Sequence, residues 1–188
     1  EYWRQKAEAH RDFADASTNV THQRLAEWES AGRLRGVITQ NIDGLHQASG
    51  VDDSRVIELH GNSTYAKCLN CGTRMELTEV KETFANNETL PVCHSCGGMV
   101  KTATISFGQS MPVVEMERAE KASRAADLVI VLGSSLVVYP AAAFPQIARQ
   151  NGAKLVIINR DETDQDDTAD LVIHDSIGMA LGDAVGVN

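Results

Sequence analysis

The four cysteines stand in two pairs, Cys68-x-x-Cys71 and Cys93-x-x-Cys96, with residues 72–92 between them. Two such knuckles can aim four thiolates at one tetrahedral Zn²⁺. Gly72 and Gly97 follow the pairs directly and let the backbone turn tightly behind the metal. A closed four-sulfur site has no open coordination position, so its zinc is expected to be structural rather than catalytic. Two disulfides are the alternative, and they belong to an oxidising compartment. The opening "EYWRQKAEAHRDF" has no apolar signal-peptide core, so a cytoplasmic origin is expected.

A second group of residues lies just beyond apolar runs. The stretch "TQNIDGLHQASG" (39–50) follows "GVIT" and brings Gln40, Asn41 and Asp43 together. His60 follows "VIEL" and precedes Gly61. An imidazole with its ordinary pKa of about 6.5 can accept a proton near neutrality. Gly133, Ser134 and Ser135 follow "DLVIVL" and offer N–H groups and hydroxyls to phosphate or ribose oxygens. Asn159 ends "KLVIIN", where its amide can bond a ribose hydroxyl or simply form a turn. Taken singly, each is equally a turn or a satisfied structural residue, and the lone histidines His22, His46 and His94 carry less weight still.

The elements needed to position these groups can be read from periodicity. Helical patterns cover 2–14, 21–31 (with Leu25, Trp28 and Ala31 on one stripe, ended by Gly32), 113–126 and 141–151. Short β-branched or apolar runs at 36–39, 55–59, 103–107, 128–133, 154–159 and 170–174 read as strands. Because the runs are continuously apolar rather than alternating, they are expected to be buried on both faces. The fold class is therefore α/β, a doubly wound, Rossmann-like parallel sheet. Ligands bind outside the carboxyl ends of strands in such sheets, and the polar clusters 39–46, 60–62, 108–109, 133–135 and 159–161 all follow strand runs, so one cleft is expected to collect them. The cysteine segment is an insertion: a Rossmann-like domain over 1–62 and 102–188, and a zinc module over 63–101. The charge run "DETDQDD" (161–167) reads as a solvated loop.

At 188 residues, with 43% hydrophobic and 23% charged residues, the chain suits one sizeable core plus a small module. Its apolar runs are far shorter than the about 20 residues a membrane helix needs. With 17 basic against 26 acidic residues the net charge is −9, which disfavours nucleic acid as a direct partner.

In order along the chain, TQNID-G-LH, ELHG, CxxC, CxxC, SFG, GSSL-x-V-x-P and an IN at a strand end make the sequence resemble the sirtuins, NAD-dependent protein deacylases, from about Asn19 to Leu181. The resemblance implies NAD as co-substrate, structural zinc, and an acylated lysine in a protein or peptide as partner. It implies that Gln40, Asn41, Ile42 and Asp43 line the nicotinamide and ribose site, with Asn41 and the general base His60 forming the catalytic set. Ile105, Phe107 and Gly108 would form the acyl-lysine tunnel. Gly133, Ser134, Ser135 and Val137 would contact the dinucleotide, Asn159 the adenosine ribose and Ile177 the adenine edge. In the implied reaction the acyl oxygen attacks C1′ of the nicotinamide ribose and nicotinamide leaves. His60 then deprotonates a ribose hydroxyl, which attacks the linked acyl carbon, giving lysine and O-acyl-ADP-ribose. Transfer of ADP-ribose to water or another acceptor is the rival enzymatic outcome, and a non-catalytic NAD-sensing or scaffold module is the other alternative.

Two departures bear on these expectations. Gln109 stands where the family usually has glutamate after its phenylalanine-glycine pair. The family's glycine-rich GAGIS-like loop and PDFR-like stretch occur nowhere in the 188 residues. An N-terminally incomplete chain is therefore expected, one that by itself binds NAD weakly and associates with a second copy through an uncovered edge.

Overall fold

The computed structural model describes residues 2–3, 16–87, 89–106 and 108–184. The chain divides into two compact units. One comprises 1–17, 39–45 and 60–112; the other comprises 18–38, 46–59 and 113–188.

The second unit carries the parallel sheet. Its first helix, α1 (Val20–Ser30), starts at a capping box in which the Asn19 side chain accepts from the His22 N–H and the His22 ring faces the Asn19 N–H. Gly32, at φ 70, ends it as expected. Leu25 is buried with Val51 and Val56, while Trp28 packs half-buried against them. Ala31 does not continue this stripe, because it caps the helix and is exposed. Of the expected helix over 2–14, Tyr2 and Trp3 are helical and the remainder lies outside the described residues.

Strand β1 (Val37–Thr39) pairs with β2 (Val56–Glu58) in a two-stranded sheet; the four-residue helix α2 (Leu45–Ala48) lies between them in sequence. Further on, β6 (Leu128–Leu132), β7 (Lys154–Ile158) and β8 (Leu171–Ile173) form a parallel sheet in that order, with Leu128 opposite Lys154 and Val156 opposite Leu171. Helix α5 (Ala143–Gln150) makes the crossover from β6 to β7. The interior is built from Val131, Leu136, Ala142, Leu155 and Ile157. Burial on both faces holds for central β7; Leu128 and Leu171, which open the flanking strands, are each 51% exposed.

The first unit is antiparallel. Strand β3 (Gly61–Cys68) lies between β4 (Arg74–Glu76) and β5 (Val100–Thr104), with helix α3 (Leu77–Asn87) following β4. Trp3, Ala66, Cys68, Leu77, Val80, Cys93 and Val100 make its core. The strand expected at 103–107 is corrected here: it spans Val100–Thr104 and belongs to this antiparallel sheet. The polar clusters are consequently carried by three sheets rather than by the edge of one. Clusters 39–45, 60–62 and 108–109 lie in the first unit; 133–135 and 159–161 lie in the second, where they follow the adjacent strands β6 and β7. Among the described residues the remaining α-helices are α4 (Val113–Arg124) and α6 (Ile177–Ala184).

Candidate functional site

The stretch after β1 is shaped by short-range turns. The Thr39 hydroxyl accepts from the Asn41 N–H at 3.1 Å, and the Asp43 carboxylate accepts from the Leu45 N–H at 3.0 Å. Such side-chain bonds give polar residues a defined path without a helix or strand. Ser63 fixes the middle of the stretch: both its N–H and its hydroxyl donate to the Ile42 carbonyl, at 2.7 and 2.8 Å. Asn41 is exposed, while Gln40, Ile42 and Asp43 are half-buried.

His60 Nδ1 lies 3.0 Å from the Gln40 carbonyl oxygen. A carbonyl oxygen can only accept, so Nδ1 carries the proton and Nε2 is the basic nitrogen. One residue of the 39–45 stretch thereby sets the tautomer of the histidine. His60 is held in place from the other side by its own carbonyl, which accepts from the Ile105 N–H at 2.8 Å. The next residue, Gly61, has φ 73, and a Cβ there would sit 2.0 Å from the Ala103 carbonyl oxygen. Only glycine permits β3 and β5 to approach so closely beside the histidine.

Ile105 is half-buried, Gly108 is exposed at φ 83, and Phe107 lies outside the described residues. Gln109 holds both main-chain groups of Ser106. Its N–H donates to the Ser106 carbonyl at 3.0 Å and its side-chain oxygen accepts from the Ser106 N–H at 2.8 Å. That same oxygen accepts from Lys101 Nζ at 2.6 Å.

In the second unit, Gly133 (φ 61) turns the chain out of β6, and its N–H donates to the Ile158 carbonyl at 2.9 Å. A Cβ on Gly133 would lie 2.4 Å from Ile177 Cδ1, so the structure brings these two predicted residues into direct packing. The Ser134 hydroxyl accepts from the N–H of Leu136, which is itself buried at φ 57. Ser135 and Val137 are exposed, Val137 at 59%. Asn159 donates its amide to the Asp161 carbonyl at 2.8 Å, which leaves the side-chain oxygen as the acceptor it can offer. The Asn159 carbonyl accepts from His174 Nδ1 at 3.2 Å, and His174 Nε2 lies 3.4 Å from Asp166, whose carboxyl is held below its ordinary pKa chiefly by the Thr163 hydroxyl and also by His174.

The four cysteine sulfurs all lie within 4.8 Å of one another. Tetrahedral Zn–S bonds of about 2.3 Å would set the sulfurs about 3.8 Å apart. Three Sγ···Sγ distances are 3.5 Å (Cys68 to Cys96), 3.6 Å (Cys71 to Cys93) and 3.4 Å (Cys71 to Cys96), so the cluster fits that ion. Cys68 and Cys93 are buried while Cys71 and Cys96 are exposed. The two exposed thiols, Cys71 and Cys96, are pushed in opposite directions. Hydrogen bonds from the Thr73 hydroxyl and N–H bring Cys71 down to about 6. Cys96 receives a lowering bond from the Gly98 backbone, yet sharing protons with Cys71 and Cys68 pushes it up to about 12. Four sulfurs this close cannot all ionise unaided; a dication supplies the missing charge.

Several of these positions were not legible as functional from sequence. Ser63 and His174 act through backbone carbonyls distant in the chain and have no motif of their own. Gly61 carried a signal, since a glycine directly after the candidate histidine marks close backbone approach.

With a histidine of fixed tautomer, glycine-turned strand ends and four converging cysteine sulfurs in one α/β chain, the class of protein is defined: the chain belongs to the Sir2 family, whose model matches residues 1–140. It is 54% identical over 186 residues to NAD-dependent protein deacetylase 1 of Bradyrhizobium diazoefficiens, covering 99% of this chain and 73% of that protein. Identity with the NAD-dependent protein deacetylase of Rhodopseudomonas palustris is 52%, covering 99% and 74%. Among solved structures, Sir2Tm bound to a propionylated peptide superposes with a TM-score of 0.88 at 37% identity, covering 97% of this chain and 76% of that one. The complex Sir2-p53 peptide-NAD⁺ gives 0.84 at 37% identity, covering 93% and 71%.

Proposed function

We propose that this chain removes acetyl groups from protein lysines at the expense of NAD, releasing nicotinamide and O-acetyl-ADP-ribose. The observation that carries the reading is the tautomer lock on His60: with Nδ1 donating to the Gln40 carbonyl, Nε2 is available to take a proton from a ribose hydroxyl. Gln40, Asn41, Ile42 and Asp43 receive the nicotinamide and its ribose, on a path fixed by Ser63. Ile105, Phe107 and Gly108 hold the acyl-lysine stem. Gly133, Ser134, Ser135 and Val137 bind the dinucleotide, Asn159 accepts from the adenosine ribose, and Ile177 packs on the adenine edge. The zinc held by Cys68, Cys71, Cys93 and Cys96 stabilises a module over 63–101 and takes no part in the reaction. Reduced thiols suit the cytoplasm, where we place the protein. Incubation with an acetylated peptide and NAD, followed by mass spectrometry, tests the reading: O-acetyl-ADP-ribose in step with free lysine is expected. Free ADP-ribose with the peptide still acetylated, or an ADP-ribosylated protein, would replace it with NAD hydrolysis or ADP-ribosyl transfer.

Gly133 gives a test of the adenosine side. Alanine at φ 61 costs about 1–2 kcal/mol and also displaces Ile177, so Gly133→Ala is expected to weaken NAD binding by about tenfold. Calorimetric titration checks this; an unaltered Kd would remove Gly133 and Ile177 from the dinucleotide site.

A further inference from the structure

We infer that Gln109 is a positioning residue for the acyl-lysine substrate, an inference that rests on the deacetylase reading above. The residue is exposed, so core packing does not account for it. What it does is polar. One carbonyl oxygen accepts from the Ser106 N–H at 2.8 Å and from Lys101 Nζ at 2.6 Å, while the residue's own N–H donates to the Ser106 carbonyl at 3.0 Å. Lys101 Nζ also reaches the Ser106 hydroxyl at 3.3 Å. Ser106 is thus tied to Gln109 through both of its main-chain groups and to β5 through Lys101.

The residue fixed in this way directly follows Ile105, whose N–H is bonded to the His60 carbonyl. The chain from the general base to Gln109 is therefore continuous: His60 carbonyl to Ile105 N–H, along one peptide to Ser106, and from there to the Gln109 carboxamide. Fixing Ser106 limits the directions in which Ile105 can present its side chain and carbonyl to a lysine stem. It also engages the Ser106 main chain internally, so that a substrate backbone has to pair elsewhere. Neither effect involves NAD. Gln109 should accordingly act on the peptide and leave the dinucleotide untouched.

Gln109→Ala removes the shared acceptor. The expected result is a rise of about tenfold in KM for an acetylated peptide, with kcat changed less than KM, KM for NAD unchanged, and the melting temperature close to wild type. Gln109→Glu keeps an oxygen within reach of both donors and is expected to restore peptide KM to within about twofold of wild type. Gln109→Asn, too short to reach both, should behave like alanine and serves if the alanine variant aggregates. Direct binding of a fluorescent acetylated peptide, measured by anisotropy, should follow the same order. An active wild type whose alanine and asparagine variants keep the peptide KM, or raise both KM values together, overturns the role of Gln109 alone, as does failure of glutamate to rescue. A wild-type protein that releases no nicotinamide overturns the deacetylase reading itself and this inference with it.

Discussion

Changing His60 to alanine is expected to lower deacetylation by at least about 10²- to 10⁴-fold, the range that a positioned general base supplies. The Gln40 carbonyl holds the Nδ1 proton and the Ile105 N–H holds the backbone, so the ring has a fixed tautomer and a fixed origin. Truncation to alanine removes the base together with its ring bond to the Gln40 carbonyl, while the backbone bond from the Ile105 N–H to the residue-60 carbonyl stays in place. NAD binding, measured separately by titration, should therefore persist in the variant. A steady-state assay decides the assignment: turnover within about tenfold of wild type would mean that another group, or water, takes the proton. A parallel loss of NAD affinity and turnover would instead assign His60 to binding.

How legible this arrangement is in the sequence depends on the range over which each signal acts. The cysteine ligands are readable because ligand spacing within a knuckle is local. The parallel strands β6, β7 and β8 are readable because Leu128–Leu132, Lys154–Ile158 and Leu171–Ile173 are runs of apolar, mostly β-branched residues next to turn signals. Strand β3 is not: Asn62, Ser63, Thr64 and Lys67 give it a polar character, and its eight residues pair through backbone bonds that composition does not record. The shift of β5 has the same origin. Ile105 and Phe107 carry the hydrophobic weight of "ATISF", yet the strand ends at Thr104 because the Ile105 N–H goes to the His60 carbonyl next to the close approach at Gly61. The sheet gives up its regular register between Gly61 and Ala66, close to His60. His60 is marked in the sequence by its place after an apolar run and before a glycine, but the carbonyl its ring bonds lies twenty residues earlier in the chain, in a stretch with no regular structure.

Loss of a single zinc ligand should have the largest effect on stability. Cys93 is the informative choice, since it is 2% exposed and belongs to the core cluster with Trp3, Ala66, Cys68 and Val100. A four-thiolate site contributes an apparent zinc-binding free energy of about 10–16 kcal/mol in small zinc-finger peptides, comparable to or larger than the about 5–15 kcal/mol that holds a whole domain together. By contrast, the packing lost on replacing a buried cysteine with alanine is of the order of 1 kcal/mol. If Cys93 only packed, Cys93→Ala would melt near wild type. If it ligates zinc, the variant should fail to retain the metal and should unfold at a much lower temperature, with strong chelation of the wild type giving the same shift. The change should spread along one strand: β3 starts at Gly61 beside His60 and ends at the ligand Cys68, so freeing that sulfur loosens the pairing of Cys68 with Val100 first and the His60 end last. Metal analysis by mass spectrometry and thermal melting, run on the wild type, the chelated protein and the variant, separate the alternatives. One zinc per chain in the wild type is expected, and a variant that keeps both its zinc and its melting temperature would remove Cys93 from the ligand set.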